Sequence, residues 1–187
     1  MAGAGIIISL AVLFALLVFL VYMLMTYNRF MRLDNAADAT LGQIKVALKK
    51  RLDLLSELVE SVKSYASFEK KTLEDITEMR SSVMRGDART VERIQRETGK
   101  IFGDIRAVVE GYPELKTSET VKKLMDSAAA VEDEIARHRY TYNNIVQDYN
   151  TMREVIPSNI IASLFSFERK DYLEFEGLEK PSLGWNA

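Results

Sequence analysis

The residues whose types could do chemistry are few. His138 is the only histidine, and it follows the carboxylates Glu132, Asp133 and Glu134. A carboxylate beside an imidazole is the raw material of a general base or a metal ligand pair. A di-iron site in a helical bundle, however, takes Glu and His three residues apart on two helices, with further glutamates facing them. Glu134 and His138 are four apart and the pattern occurs once. The chain has no cysteine, so zinc lacks ligands as well. The carboxylates at 132 to 134, and those scattered from Glu168 to Glu179, read as solvated faces rather than as an acid and base pair. No glycine-rich phosphate loop or nucleophile elbow is present. No catalytic, cofactor-binding or metal-ligating residue is nominated, no cofactor is implied, and the chain reads as not an enzyme.

A repeated dipeptide stands out instead. Tyr142-Asn143 and Tyr149-Asn150 are seven residues apart, hence nearly on one helix face, and Tyr27-Asn28 repeats the pair earlier. Asn in a helical seam fixes register at some cost in stability. With antiparallel pairing of the two long helices, Asn28 and Asn35 come level with Asn150, which gives these residues a register role; exposed polar positions are the plainer alternative.

The elements that must position these residues begin with a membrane anchor. Ile6 to Met25 is a run of twenty residues without a charge, and no charged residue precedes Arg29. At a rise of about 1.5 Å per residue, such a helix crosses a hydrocarbon core of roughly 30 Å and satisfies its own backbone. A cleaved signal peptide would need a charged leader, a shorter apolar run and a small-residue site, and none of these is found. Arg29 and Arg32 follow the run directly, so the positive-inside rule places the body in the cytoplasm and the N-terminus outside, in the cell (inner) membrane.

All 25 Lys and Arg and all 27 Asp and Glu lie beyond the anchor, giving a body that is densely charged yet nearly neutral. Nothing in this balance points to nucleic acid. With only three prolines, it reads as long helices. Phe30, Leu33, Ala37, Leu41, Ile44, Leu48, Leu52, Leu55, Val59, Val62 and Ala66 recur at steps of three and four, one face of one helix continuing from the anchor. The pattern falters at Ser67, which is placed to cap a second helix carrying Leu73, Ile76, Met79 and Val83 inward, closed by Gly86 and Asp87. A third, from about Ala88, carries Val91, Ile94, Thr98, Ile101, Ile105 and Val108 and ends at Gly111-Tyr112-Pro113. The fourth starts after Thr117 or Ser118, with a seam of Val121, Leu124, Ala128, Val131, Ile135, His138, Tyr142, Ile145, Tyr149, Met152 and Ile156, stopped by Pro157.

The expectation is an all-α chain: an N-terminal transmembrane helix continuing into an antiparallel up-down-up-down four-helix bundle. An unbroken first element to Met84, giving three helices, is the alternative. The domains read as an anchor at 1–28, a bundle at 29–157, and a short apolar helix with an acidic, partly disordered tail at 158–187. Even parity brings the end of the fourth helix back to the membrane, so Ile160, Ile161, Leu164, Phe165 and Phe167 are expected to lie in the interface, with Arg169 and Lys170 available to anionic lipid. Capping of the bundle's open end is the other reading of that cluster.

Tyr27-Asn28, Asn35, Asp38, Gln43-Ile44, the run Leu48 to Leu54, Leu58-Val59-Glu60, Val62-Lys63, Tyr65-Ala66, Glu69, Thr72-Leu73 and Thr77 follow, in order and spacing, the pattern of the LemA family of bacterial membrane proteins. Tyr112 to Lys116, the two later Tyr-Asn pairs and the run Pro157 to Phe167 resemble that family's later blocks. Leu41 departs from it, standing where many members carry tryptophan. The resemblance implies a single-pass anchor, an antiparallel four-helix bundle and no known catalytic residues. It implies no settled molecular function, although relatives have been linked to membrane invagination in magnetosome formation.

The expected function is a non-enzymatic, membrane-anchored helical scaffold, partly coiled-coil-like, that self-associates or docks partners at the cell membrane. The alternative is a ligand-sensing or transport-accessory bundle. The expected partners are the lipid bilayer, further copies in a homo-oligomer and an unidentified protein, but no nucleic acid.

Overall fold

The computed structural model describes residues 2–65 and 70–174. Those residues form six helices and no strand: α1 (Ala2–Val62), α2 (Lys70–Ser82), α3 (Ala88–Gly111), α4 (Pro113–Thr117), α5 (Glu119–Glu154) and α6 (Ser158–Leu164). The chain is all-α, with one long apolar N-terminal helix, as the periodicity predicts. The first element does not run on to Met84: α1 stops at Val62, where a turn closes with the Tyr65 N–H on the Val62 carbonyl. Ala66 and Ser67 lie outside the described residues, as does the tail beyond residue 174.

Two compact units divide the chain, one of Met1–Ala39 with Asn144–Asp171, the other of Thr40–Asn143 with Tyr172–Ala187. Helices α1 and α5 contribute to both. The second unit holds the larger core. Ile44, Leu48, Leu52, Leu55, Val59 and Val62 are buried as the seam predicts, and Leu41 is half-buried. Ala47 and Leu58 are buried as well, so the packed face of α1 is wider than one seam. From α2 it takes Ile76, Met79 and Val83, and from α3 Val91, Ile94, Thr98 and Ile105. Leu73 is exposed instead, and Ile101 and Val108 are half-buried.

Local chemistry sets the helix ends in this unit. Asp87 does not close α2 but opens α3, its carboxylate accepting from the Thr90 backbone N–H at 2.9 Å and from the Thr90 hydroxyl at 2.7 Å. These bonds satisfy donors a helix N-terminus leaves bare, and they hold the Asp87 carboxyl below its ordinary range. Gly86 is required beside it, since a Cβ there would meet the Thr90 side chain at 2.5 Å. Pro113 ends α3 and also starts α4, a single turn whose Leu115 is buried.

The α5 seam departs from expectation by one position. Val121, Ala128, Val131, Ile135 and Tyr142 are buried, but the steps then fall on Arg139 and Val146, not on His138 and Ile145, which are half-buried. Apolar periodicity could not find Arg139, because a charged residue occupies the core position.

In the first unit, Phe30 of α1 packs with Tyr149 and Met152 of α5 and Ala162 of α6, and Ala37 is buried as well. Leu33 and Phe167 border that cluster. Ile156, the last predicted seam residue, is 82% exposed, because α5 ends at Glu154 before reaching it.

Candidate functional site

The predicted chemistry-bearing residues do not converge. His138 is half-buried, with its Nε2 3.9 Å from Glu134 Oε1. Among the described residues no group of three His, Cys, Asp or Glu is placed to hold a metal ion. Glu132 is half-exposed but does not face solvent alone: its Oε2 lies 2.5 Å from Nη1 of Arg51, which is only 4% exposed. The Arg51 Nε has no hydrogen-bond partner among the described residues. Burial lowers the Arg51 pKa, against the opposing pull of Glu132. Arg51 and Glu132 help line a polar cavity of about 360 Å³ with Glu92, Arg96, Lys100 and Arg139. The spacing contained a trace of Arg51's burial, since it falls four after Ala47 and seven before Leu58 on the same side of α1.

The Tyr-Asn pairs have a different job from the register role expected of them. Asn28 and Asn35 are exposed. Within the first unit, Asn150 on α5 donates from Nδ2 to the Lys170 carbonyl at 2.9 Å and accepts the Lys170 N–H on Oδ1 at 3.1 Å. Its carboxamide thus reads a backbone peptide as a neighbouring strand would. Within the second unit, Asn143 repeats the device on Leu173, at 2.8 and 2.9 Å. Two side chains one heptad apart each clasp one residue of the extended segment that follows α6.

The first clasp adjoins an aromatic cluster. Phe167 stacks on Phe30 with centroids 4.5 Å apart and 18° between planes, and the Tyr149 ring meets Phe30 edge-on at 5.5 Å. Tyr27 lies 4.8 Å from Phe165. Ser166, in a left-handed conformation with φ of 54°, turns the chain out of α6, and the Phe167 N–H then reaches back to the Ala162 carbonyl. Arg153 donates from Nε to the Phe167 carbonyl at 3.0 Å.

Lys170 is not available to anionic lipid as the sequence predicted. Its Nζ is 2.7 Å from Asp34 and 3.3 Å from Asp38, a carboxylate pair one turn apart on α1, and lies 5.7 Å from the Tyr149 ring centroid. Burial alone would lower its pKa, but the hydrogen bond it donates to Asp34 and the charges of Asp38 and Asp34 outweigh that and raise it. The Tyr149 hydroxyl is raised too, by burial first and then by the charge of Asp34. Arg169 remains exposed.

Beyond the cluster, one stripe of α1 faces α6. Phe14, Ala15, Val18, Phe19 and Tyr22, at steps of three and four, line an open groove of about 510 Å³ whose other wall is Pro157, Ile160 and Ile161. The stripe belongs to the part of α1 that is long and apolar enough to cross a membrane. Pro157, Ile160 and Ile161 therefore lie alongside that segment.

The LemA family profile matches residues 40–183. The chain is 26% identical over 191 residues to the magnetosome protein MamQ 2 of Paramagnetospirillum magneticum, covering 88% of this chain and 69% of the relative. It is 26% identical to the magnetosome protein MamQ of Magnetospirillum gryphiswaldense over 195 residues, 90% of this chain and 70% of the relative. It is 28% identical to the protein LemA of Metamycoplasma hominis over 137 residues, 72% of this chain and 63% of the relative.

Proposed function

We propose for this chain, which belongs to the LemA family, the role of a non-enzymatic, membrane-anchored helical scaffold that self-associates or docks partners at the cell membrane. The observation that carries the reading is the continuity of α1. The stripe of Phe14, Val18 and Tyr22 in the apolar segment passes through buried Thr26 and Phe30 to Ala37 without a break in the helix. One continuous helix thus serves as both anchor and packing surface of the first unit. The bundle lies in the cytoplasm in this reading, on the strength of Arg29 and Arg32.

A second membrane contact follows the first. Val155, Ile156, Ile160, Leu164 and Phe165 are exposed apolar residues in and around α6, and α6 faces the apolar segment of α1. In water such a patch is a liability, whereas at an interface it is an anchor. The relatives named as magnetosome proteins support the membrane-organising form of this role.

Protease added to intact spheroplasts should leave the body uncut, and digestion without lysis would overturn the orientation. Cross-linking in native membranes should give discrete multimers or a reproducible partner; a strictly monomeric, partnerless protein at cellular density would remove the scaffold role. A second reading, a ligand-sensing or transport-accessory bundle, is favoured by the polar cavity around buried Arg51. A saturable thermal shift with one small anion, abolished by Arg51→Met, would favour it over the scaffold.

A further inference from the structure

We infer that the groove between α1 and α6 is a binding site for one acyl chain of a membrane lipid, an inference that rests on the membrane-anchored reading above. Its α1 wall runs from Phe14 to Tyr22, a rise of about 12 Å along the helix. With Ile6 to Met25 in the bilayer, that wall runs from the middle of the span toward the end nearer the body. The opposite wall is Pro157, Ile160 and Ile161.

Nothing in this lining could hold water. Tyr22 carries the one side-chain polar group there, and a buried water needs two or more partners. At this depth the surrounding fluid is hydrocarbon, so a chain from the bilayer fills the groove. A chain lying against bare helix touches one convex wall. Here it touches two, with the rings of Phe14 and Phe19 on one side and Ile160 on the other, which distinguishes the site from the rest of the span. A second copy's helix is about 10 Å across, whereas a lipid tail is slender enough to lie between the two walls.

The other side of α6 agrees with this placement. A polar cleft opens there, lined by Arg153, Glu154, Asn159, Ser163 and Glu168, and the Asn159 Oδ1 in it has no hydrogen-bond partner among the described residues. An interfacial helix with one apolar and one polar side sets these two openings at tail and headgroup level respectively.

The test uses the full chain released from nanodiscs of phosphatidylethanolamine and phosphatidylglycerol into mild detergent, read by native mass spectrometry. One phospholipid should be retained per protomer. Ala15→Phe, which fills the groove, should lower that occupancy at least fivefold, while Leu13→Phe, on the opposite side of α1, should leave it unchanged. In a separate arm, Leu164→Trp in a Trp185→Phe background reports from outside the groove and should be quenched by brominated lipids. If that reporter is quenched but no lipid is retained, or both phenylalanine variants behave alike, the acyl-chain site is overturned and the membrane contact of α6 stands. If it is quenched only by aqueous acrylamide, the membrane contact falls and the site with it. An Ile160→Cys variant that forms a disulfide between copies, with no lipid retained, would assign the groove to a second copy and overturn the proposal.

Discussion

The two units of this protein obey different rules of burial. In the second unit, most apolar residues of α1, α2, α3 and α5 are turned inside, and the outside is laced with exposed ion pairs such as Arg93 with Glu97 and Arg106 with Glu110. In the first, Phe14, Leu17, Ile156, Ile160 and Leu164 are exposed, while Lys170 is drawn in between two aspartates. One helix, α1, follows both rules along its length. The lesson is that exposure in the first unit marks a surface of another kind, apolar in and around α6 as well as along the segment that is long and apolar enough to cross a membrane.

That comparison can be broken most directly at the two kinds of leucine. Leu48→Ala, fully buried in the second unit, should cost roughly 2 to 5 kcal/mol. Leu17→Ala, exposed on the span, should leave the thermal unfolding of the body unmoved. Calorimetry showing equal losses would mean that the span packs within the protein. On α5, Val146→Ala should cost about 2 kcal/mol and Ile145→Ala clearly less, because only Val146 is completely buried.

Next comes the buried charge. Glu132→Ala strands the Arg51 guanidinium and should cost roughly 1 to 3 kcal/mol, less than a fully enclosed pair because Glu132 itself is half-exposed. Arg51→Met removes the charge along with its need for a partner, so chemical denaturation should find it near neutral or stabilised. Equal losses from both variants would mean that the pair contributes net stability.

The clasps sharpen the comparison at lower energy. Asn150→Ala removes two hydrogen bonds to the Lys170 backbone and should cost about 1 to 2 kcal/mol, seen as faster amide exchange at residue 170. The pH dependence has a definite sign. Lys170 has a folded pKa above its ordinary value, so its contribution is complete below about pH 10.4 and is lost as pH rises through the folded value. A spin label at Tyr172→Cys should keep its mobility from neutrality to that range and loosen only beyond it; loosening near neutral pH would contradict the assignment. The smallest effect is at Ser166→Gly. Relief of a left-handed backbone should stabilise by at most about 1 kcal/mol, measured as a small rise in melting temperature.

Much of this molecule is determined by interactions that a sequence displays directly. The uncharged run from Ile6 to Met25, the helical stripe from Phe30 to Val62 and the stops at Gly111 and Pro157 act within a few residues, and the helices form where those patterns place them. The partners of the polar residues are another matter. Lys170 meets Asp38 across 132 residues of chain, and Asn143 meets Leu173 across 30. The acidic residues Asp34 and Asp38 stand one turn apart in the sequence, but nothing in that spacing shows that Lys170 is what they meet. Arg51 reads as part of a basic run with Lys49 and Lys50 and becomes a core residue because helix packing, not composition, decides which row of α1 faces α5. The same holds for the groove. Apolar character marks Phe14 and Ile160 alike, but a hydrophobic residue is indifferent to its neighbour's identity, so only the folded path of the chain could set one beside the other.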